Sequence, residues 1–292
     1  MTMGGGVNAL HKELEGLKPA PKPRFRRADE PLHKVLAAWA ILVISLAYFF
    51  LPLIGTLLFS LRAQPFGSAY ADMVNDAQVW KSLGYSFLIA IITIVLSIGL
   101  LVPTAFWVRL RMPRIRPIVE FVTLLPFVVP PIVLVYGLIS TFSGPPFHLT
   151  GSNLGSDVLL VCAYVVLSFP YMYRSIDAGL RTIDIQTLTE ACQSLGAGWF
   201  TTMWRVILPN LRVAILSGSF LTLAIVVGEF TVANFLARQG MFAVYLFQIS
   251  GNLAYQPAAV ALISFGMTWA AMGVIAWIGR GSSVKMKPAG AH

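Results

Sequence analysis

Six long apolar segments dominate this sequence and limit what it can fold into. They cover residues 35–61, 83–108, 119–141, 158–176, 213–236 and 258–278. A run of roughly 18 or more apolar residues is long enough to cross a hydrocarbon core of about 30 Å as a helix. Because the runs are continuous and do not alternate with polar residues, they predict helices and not barrel strands. We therefore expect an all-α, polytopic membrane protein with six transmembrane helices.

The distribution of charge predicts the orientation of these helices. Of the 21 lysines and arginines, all but Arg62, Lys81 and Arg238 fall on one side when the six helices are threaded in order. Positive loops are retained in the cytoplasm, so we expect both termini to be cytoplasmic. Such retention, with attraction to anionic lipid, explains the net charge of +9. A nucleic-acid-binding tail at residues 12–34 is the competing interpretation, and we expect no such partner.

Composition predicts three regions along the chain. Residues 1–33 are polar and basic and contain the runs GGG and PAPKPRFRR, which is typical of a disordered cytoplasmic segment. Residues 34–282 hold the transmembrane domain, and residues 283–292 form a cytoplasmic tail. The first apolar run is too long for a signal-peptide core and no small-residue cleavage pattern follows it, so we expect an uncleaved first helix.

The residues that usually carry catalysis or bind metal are scattered. Cys162 and Cys192 are too widely separated in the predicted topology to pair. The histidines fall outside the apolar segments and far apart in sequence, at His11, His33, His148 and His292. No HExxH or GxSxG motif occurs, and no two carboxylates share a span. We expect a protein that is not an enzyme and has no catalytic residue, metal or cofactor.

The connection between the fourth and fifth apolar segments, about residues 177–212, is long enough to hold two short helices. An apolar stripe at helical spacing predicts the first helix, at Ile185, Leu188, Cys192 and Leu195. Asp184 fits its N-cap, although Thr187 and Glu190 fit a capping box and leave a second start open. Gly196 stands where a residue with positive φ would end this helix.

A second apolar set predicts a second helix in the same connection. It comprises Trp199 or Phe200 with Met203, Trp204 and Ile207, and Pro209 limits how far the helix continues. Two interpretations fit such a pair. The helices lie on the bilayer with their tryptophans among the headgroups, or they dock in a groove of a soluble partner.

The spacing of residues in this connection resembles the EAA loop of ATP-binding-cassette (ABC) importer permeases. That pattern reads EAA, three residues, G, nine residues, I, one residue, LP. The matching positions are Glu190, Ala191, Cys192, Gly196, Val206, Leu208 and Pro209, with Ala197 after the glycine. The chain departs from the pattern at Cys192 and Val206. The resemblance extends over about residues 80–279 and implies a type I importer permease fold.

The resemblance also implies a role and a set of partners. In that family the loop is a coupling helix that inserts into a groove of the ATP-hydrolysing subunit. Two permeases, identical or paralogous, assemble with two ATPase subunits and receive cargo from an extracytoplasmic solute-binding protein. No GxxxxGK[ST] motif occurs in this chain, so it is not expected to hydrolyse ATP itself. We therefore expect residues 34–282 to form a permease domain whose ATPase-coupling loop covers about 177–212.

Glu229 is the deepest ionisable residue in the apolar segments. A charged group there costs about 2.5–3.5 kcal/mol, which makes it a candidate for the translocation pathway. Gly228 would permit close approach of another helix or expose backbone, and Thr231 and Asn234 continue the polar surface. A carboxylate that only bonds to a neighbouring Ser, Thr or Tyr is the alternative. A free carboxylate would favour a cationic cargo.

Prolines predict breaks in the helices beside this pathway. Pro126, Pro130 and Pro131 are expected to break the third helix, and Pro170 the fourth. Freed carbonyls need polar partners, so Tyr136 and Tyr171 are candidate pathway residues, together with Tyr164 and Ser168. Simple packing remains the alternative for each.

The GEF stretch at Gly228 to Phe230 resembles permeases of the polyamine branch, which implies spermidine or putrescine as cargo. Ferric iron, thiamine and aminoethylphosphonate are the alternatives within that branch. A secondary transporter or channel coupled through Glu229 is an alternative of another class. The outer loops at 62–84, 143–157 and 238–256 would receive the solute-binding protein.

Overall fold

The computed structural model describes residues 32–280, and every regular element in that range is a helix. The α-helices, numbered here in chain order, are α1 Leu32–Ser60, α2 Ser68–Asn75, α3 Ala77–Arg111, α4 Arg116–Val128, α5 Pro131–Phe142, α6 Asn153–Arg181, α7 Ile185–Ser194, α8 Trp199–Asn210, α9 Arg212–Gly228, α10 Thr231–Phe235, α11 Phe242–Ser250 and α12 Gln256–Arg280. The predicted all-α class is confirmed. The predicted tail and leader lie outside the described residues, except Leu32 and His33, which belong to α1.

The chain divides into two units, Met1–Pro52 and Leu53–His292. The described part of the first unit is the beginning of α1, which is apolar on all sides, as in a membrane-spanning helix.

The lengths and hydropathies of the helices agree with a membrane protein. Among the described residues, four helices are long and apolar enough to cross a bilayer: α1, α3, α6 and α12. Two bent pairs raise the number to six if each pair is one span. They are Pro113–Val128 with α5, bent by 98°, and α8 with α9, bent by 74°.

The third predicted segment is broken at Val129 and Pro130, both in extended conformations. Each precedes a proline, and a residue before proline is disfavoured in the helical region. Pro131 then begins α5. The breaks predicted at Pro126 and Pro170 were wrong, because each lies inside a continuous helix. An isolated proline is tolerated in a membrane helix when its surroundings satisfy the freed carbonyl.

The fifth predicted segment was also too long. Helix α9 ends at Gly228, and the residues up to Leu236 form a break and the short helix α10. Glu229 follows the end of α9 in an extended conformation.

The core of the second unit forms around α6, which packs against α3, α4 and α9. Its centre includes the fully buried side chains of Leu83, Leu160, Tyr164 and Leu223. Helices α6 and α9 approach closely, since a Cβ on Gly218 would lie 2.6 Å from the sulfur of Met172. Small residues permit such contacts between membrane helices.

A second hydrophobic cluster joins the membrane helices to the loop that contains α7 and α8. It contains Phe106 of α3, Ile176 and Leu180 of α6, Ile185 of α7, and Met203 and Ile207 of α8. The loop is therefore packed against the membrane helices.

Candidate functional site

The loop between α6 and α9 begins with a capped helix. The carboxylate of Asp184 accepts hydrogen bonds from the backbone N–H of Thr187 at 3.2 Å and from its hydroxyl at 2.8 Å. Of the two predicted helix starts, Asp184 is the correct one. The Thr187 hydroxyl, and then its N–H, lower the pKa of Asp184, so the cap is charged at neutral pH.

Gly196 ends this helix as predicted, with φ at 76°. The N–H of Gly196 donates to the carbonyl of Gln193, and that of Ala197 donates to the carbonyl of Cys192, both at 2.9 Å. These two bonds define a Schellman motif, which needs a left-handed residue at this position. The turn sets the direction of α8 relative to α7.

Helix α8 contains a wide turn that the sequence did not predict. Met203–Ile207 is a π-helical segment, and a regular turn containing Pro209 follows before the chain bends at Leu211. Proline in a regular helix clashes with the carbonyl four residues earlier. A widened turn immediately before Pro209 relieves that clash, so the helix runs to Asn210.

One face of each loop helix is buried on the second hydrophobic cluster. Ile185 and Thr189 of α7, and Met203 and Ile207 of α8, are each less than 9% exposed. Of the predicted apolar stripes, Ile185, Met203 and Ile207 face the cluster, while Leu188 and Cys192 are half-buried.

The side of the loop away from this cluster is open and includes several large apolar side chains. Leu195 is 88% exposed, Phe200 67% and Trp204 56%, so these members of the predicted apolar stripes do not face the cluster. Glu190 and Ala191 are exposed as well. Periodicity finds apolar positions but does not distinguish a face for the core from a face for something else.

The residues that match the EAA pattern are spread over both helices of the loop. Glu190, Ala191, Gly196 and Pro209 are exposed, whereas Cys192, Ala197, Val206 and Leu208 are half-buried. Within residues 32–280, the Glu190 carboxylate contacts only the Gln186 amide, at 3.4 Å. That carboxylate is thus available to another molecule.

A charged network that sequence reasoning missed ties the base of this loop to two other helices. Asp177 of α6 is 8% exposed and meets Arg109 at 3.4 Å, Arg116 at 3.1 Å and Arg181 at 2.7 Å. Arg116 also pairs with Glu120 at 2.9 Å. The pairs Arg116–Glu120 and Asp177–Arg181 lie four residues apart and could be found from the sequence. The contacts of Arg109 and Arg116 with Asp177 span 68 and 61 residues and could not be found in this way.

Beside the network lies a cavity of about 550 Å³, lined in part by Glu120, Tyr173, Arg174 and Arg181. It is open to the same end of the helices as the loop.

Glu229 follows the end of α9, and its carboxylate is fully engaged. It accepts from the backbone N–H groups of Thr231 at 2.8 Å and Val232 at 2.9 Å, and from the hydroxyl of Tyr164 at 3.3 Å. It therefore caps α10 and binds a buried tyrosine. This arrangement supports the alternative in which the carboxylate is satisfied by its neighbours.

Gly228 does not pack against another helix, since nothing lies within 4 Å of a Cβ placed there. The predicted close approach was wrong, and the prediction of exposed backbone was right. Gly228 lines a cavity of about 350 Å³ together with Phe230, Phe242 and Phe247.

The other candidate pathway residues fall into two places. Tyr136 of α5 packs its ring 5.4 Å from that of Phe235, which joins it to α10 and hence to Thr231 and Asn234. Tyr171 instead packs edge-on against Phe127 of α4, with ring centroids 5.1 Å apart. The structure therefore groups Tyr136 with α10 and places Tyr171 against α4.

A second polar cluster fastens the segment between α10 and α11, which was predicted to be an outer loop. Arg238 pairs with Asp157 at 2.7 Å and bonds to Asn153 at 3.0 Å, while the hydroxyl of Tyr85 donates to Asp157. Tyr245 of α11 donates to Asp76 at 2.6 Å. Burial, and then this bond, raise the pKa of Tyr245, which keeps its proton on the donor.

Comparison with known proteins identifies relatives of this chain. Over 182 residues the chain is 29% identical to the spermidine/putrescine transport system permease protein PotB of Haemophilus influenzae, covering 57% of this chain and 62% of that protein. The chain thus matches less than two thirds of the length of that relative. Over 195 residues it is 30% identical to a probable molybdenum ABC transporter permease protein of Haloferax volcanii, covering 66% and 70%.

A solved structure shares the fold. It is described as a bacterial ABC transporter involved in the import of the acidic polysaccharide alginate, and it aligns with a TM-score of 0.63 at 14% identity over 85% of this chain and 96% of that one. The family model for "binding-protein-dependent transport system inner membrane component" matches residues 101–281. Since that match covers more than half of its length, the chain belongs to the family of binding-protein-dependent transport system inner membrane components.

Proposed function

We propose that this chain is the permease subunit of an ABC importer, and that α7 and α8 form the surface that binds the ATP-hydrolysing subunit. The observation that carries the proposal is the two-sided loop, with one face packed on the core and an open apolar face around Leu195, Phe200 and Trp204. Family membership supports it. Two permeases and two ATPase subunits would assemble with a solute-binding protein in a bacterial inner membrane.

The buried face is suited to passing a displacement into the membrane helices. Ile185, Met203 and Ile207 pack against α3 and α6, and Asp177 links the base of the loop to Arg109 and Arg116. A displacement of α7 would therefore be transmitted through packed side chains and ion pairs to these membrane helices. Conformational change is transmitted through packed elements that move as bodies.

The open face is suited to a groove in another protein. Its apolar side chains include Phe200 and Trp204, with ring centroids 5.9 Å apart, and the exposed Glu190 carboxylate makes only one weak contact within the described residues. Contiguous exposed apolar surface marks an interaction site, and a short amphipathic helix docks by such a face. The competing arrangement, in which the loop lies flat on lipid, would place the Glu190 carboxylate against the negatively charged cytoplasmic leaflet, which repels it.

The test is capture of the ATPase subunit encoded with this chain, on purified complexes. We expect Glu190→Lys to reduce the captured ATPase at least about tenfold, because it reverses a charge at the docking face. Thr201→Lys introduces the same cation at an exposed position of α8 outside the motif, so it is the matched control and should capture normally. Normal capture and normal uptake with Glu190→Lys would overturn the proposal.

For the cargo, we propose a polyamine as the first candidate, supported by the relative PotB and by the GEF stretch at Glu229. A second candidate is an oxyanion. Two observations favour it: the Glu229 carboxylate is occupied by Thr231, Val232 and Tyr164, and one relative is described as a molybdenum permease. A carboxylate already occupied by internal bonds attracts a cation less.

The two cargoes are separated by reconstituting the complex with its solute-binding protein and measuring ATP hydrolysis. Stimulation by spermidine or putrescine, and not by molybdate, supports the first candidate, and the reverse result supports the second. Ferric iron, thiamine and aminoethylphosphonate complete the series. Uptake that follows an ion gradient at constant ATP would instead indicate a secondary transporter.

A further inference from the structure

A cavity of about 330 Å³ lies between the end of α3 and the two loop helices. Trp107 of α3 and Trp199 of α8 both line it, with ring centroids 6.3 Å apart. This volume lies in the range of cavities that bind small ligands, about 300–1,000 Å³. Neither the coupling role of the open face nor the pathway near Glu229 uses this cavity.

Three of the seven residues in the lining of the cavity are apolar, namely Trp107, Leu110 and Trp199. Thr189 and Thr202 contribute to it, but their hydroxyls donate to the carbonyls of Ile185 at 2.6 Å and Gly198 at 3.1 Å. Those hydroxyl protons are therefore used within their own helices. The remaining polar lining groups are the Gln193 amide and the Arg111 guanidinium, so the cavity suits a hydrocarbon group with an anion beside it.

Arg111 differs from the arginines around it. Arg109, Arg116 and Arg181 pair with carboxylates. Arg111 and Arg114 have no ion pair or side-chain hydrogen bond among the described residues, and of these five arginines only Arg111 lines the cavity. Arg111 is the last residue of the candidate membrane span Ala77–Arg111. Trp107 stands one turn earlier on the same helix face. An aromatic ring and a cation so placed are typical of the membrane–water interface.

We infer that this cavity binds an anionic phospholipid, with the phosphate on Arg111 and part of an acyl chain between Trp107 and Trp199. Charge complementarity selects an anionic headgroup, and the apolar lining selects the chain. The lipid would lie beneath α7 and α8 and stabilise their position on α3. Only this consequence for coupling rests on the proposed function; the site itself does not.

Quenching of tryptophan fluorescence by brominated lipid tests the site on the full chain purified in detergent. The signal is the quenching of the wild type minus that of the Trp107→Phe/Trp199→Phe variant, which removes the contribution of the other tryptophans. We expect saturable quenching, with brominated phosphatidylglycerol binding about fivefold more tightly than brominated phosphatidylcholine, as one arginine near an anionic headgroup provides.

Matched variants identify the residue responsible. Arg111→Gln should remove the preference for phosphatidylglycerol, and Arg111→Lys should keep most of it. Arg114→Gln makes the same change of charge on a residue that does not line the cavity, so it should leave the preference intact. Gln193→Phe, at an exposed lining position, should reduce quenching by both lipids because its ring occupies the cavity.

Equal quenching by the two lipids, or equal effects of Arg111→Gln and Arg114→Gln, would overturn the inference. The inference would also be overturned if the cavity bound no lipid and its tryptophans became shielded from quencher when the ATPase subunit is added. The occupant of the cavity would then be protein. The titration contains no ATPase, so its failure is distinguishable from failure of the capture experiment.

Discussion

At Glu229 a single carboxylate satisfies two backbone N–H groups and one buried hydroxyl, at the point where α9 gives way to α10. We predict that Glu229→Ala lowers the free energy of unfolding by about 1–3 kcal/mol, because the N–H groups of Thr231 and Val232 lose their acceptor. The Tyr164 hydroxyl keeps the backbone carbonyl of residue 229 as an acceptor, at 3.3 Å. Thermal unfolding of the purified chain measures the change. Tyr164→Phe removes only one of the bonds and should cost less. Unchanged stability together with lost transport would instead make Glu229 a cargo contact.

The ion pairs of Asp177 can be tested by removing its charge. Asp177→Asn removes the charge that holds three arginines, and we expect a loss of about 2 kcal/mol in the free energy of unfolding. Glu120→Gln is the comparison, since the Glu120 side chain is 41% exposed, and exposed pairs contribute below about 1 kcal/mol. Thermal unfolding in low salt measures both variants. A larger effect at Glu120 would show that Asp177 is not the centre of the network.

Single residues were predictable from the sequence when their role depends on near neighbours. Asp184 and Gly196 act through bonds within four residues, so spacing alone identified them. The partners of Asp177 and Glu229 come from other helices, at separations of 61, 65 and 68 residues. Nothing in one sequence pairs such positions, because the contact exists only after α3, α4, α6 and α9 have packed.

At the scale of elements, the turn between α7 and α8 can be tested by making the same substitution separately at each of two glycines. Gly196 has φ at 76°, while Gly198 has φ at −72°, and a Cβ at either position meets nothing within 4 Å. Gly196→Ser should therefore cost about 1–2 kcal/mol in backbone strain alone. Gly198→Ser should cost little, because serine is a good N-cap for α8.

Hydrogen exchange of the loop amides measures this difference, since local opening determines the rate. We expect exchange in α7 and α8 to accelerate about tenfold in Gly196→Ser and to stay near the wild-type rate in Gly198→Ser. Equal rates in the two variants would show that the positive φ is not needed to hold the turn.

The elements that the sequence predicted well are those set by local composition. Continuous apolar runs predicted α1, α3, α6 and α12, and two successive prolines predicted the break before α5. The wide turn at Met203–Ile207 and the end of α9 at Gly228 were missed. The first relieves a clash at Pro209 that could be resolved in several ways, and the second lies inside an apolar run whose length by itself predicts a longer helix.

For the whole molecule, topology depends on whether the bent pair α4 and α5 crosses the membrane. At about 1.5 Å per residue and a bend of 98°, helices of 13 and 12 residues reach roughly 25 Å end to end, against a hydrocarbon core of about 30 Å. A small shortfall is met by local thinning of the bilayer at modest cost. We therefore predict that the pair crosses, which places Arg114 in the cytoplasm and Ser143 outside.

Cysteine labelling in intact cells measures this topology, in a variant whose native Cys162 and Cys192 have been replaced. A membrane-impermeant maleimide should label Ser143→Cys directly and Arg114→Cys only after permeabilisation, since both side chains are exposed at opposite ends of the pair. Labelling of both from one side would make the pair a re-entrant loop. That result would reverse α6 in the membrane and move the loop of α7 and α8 to the outer face, where no ATPase could reach it.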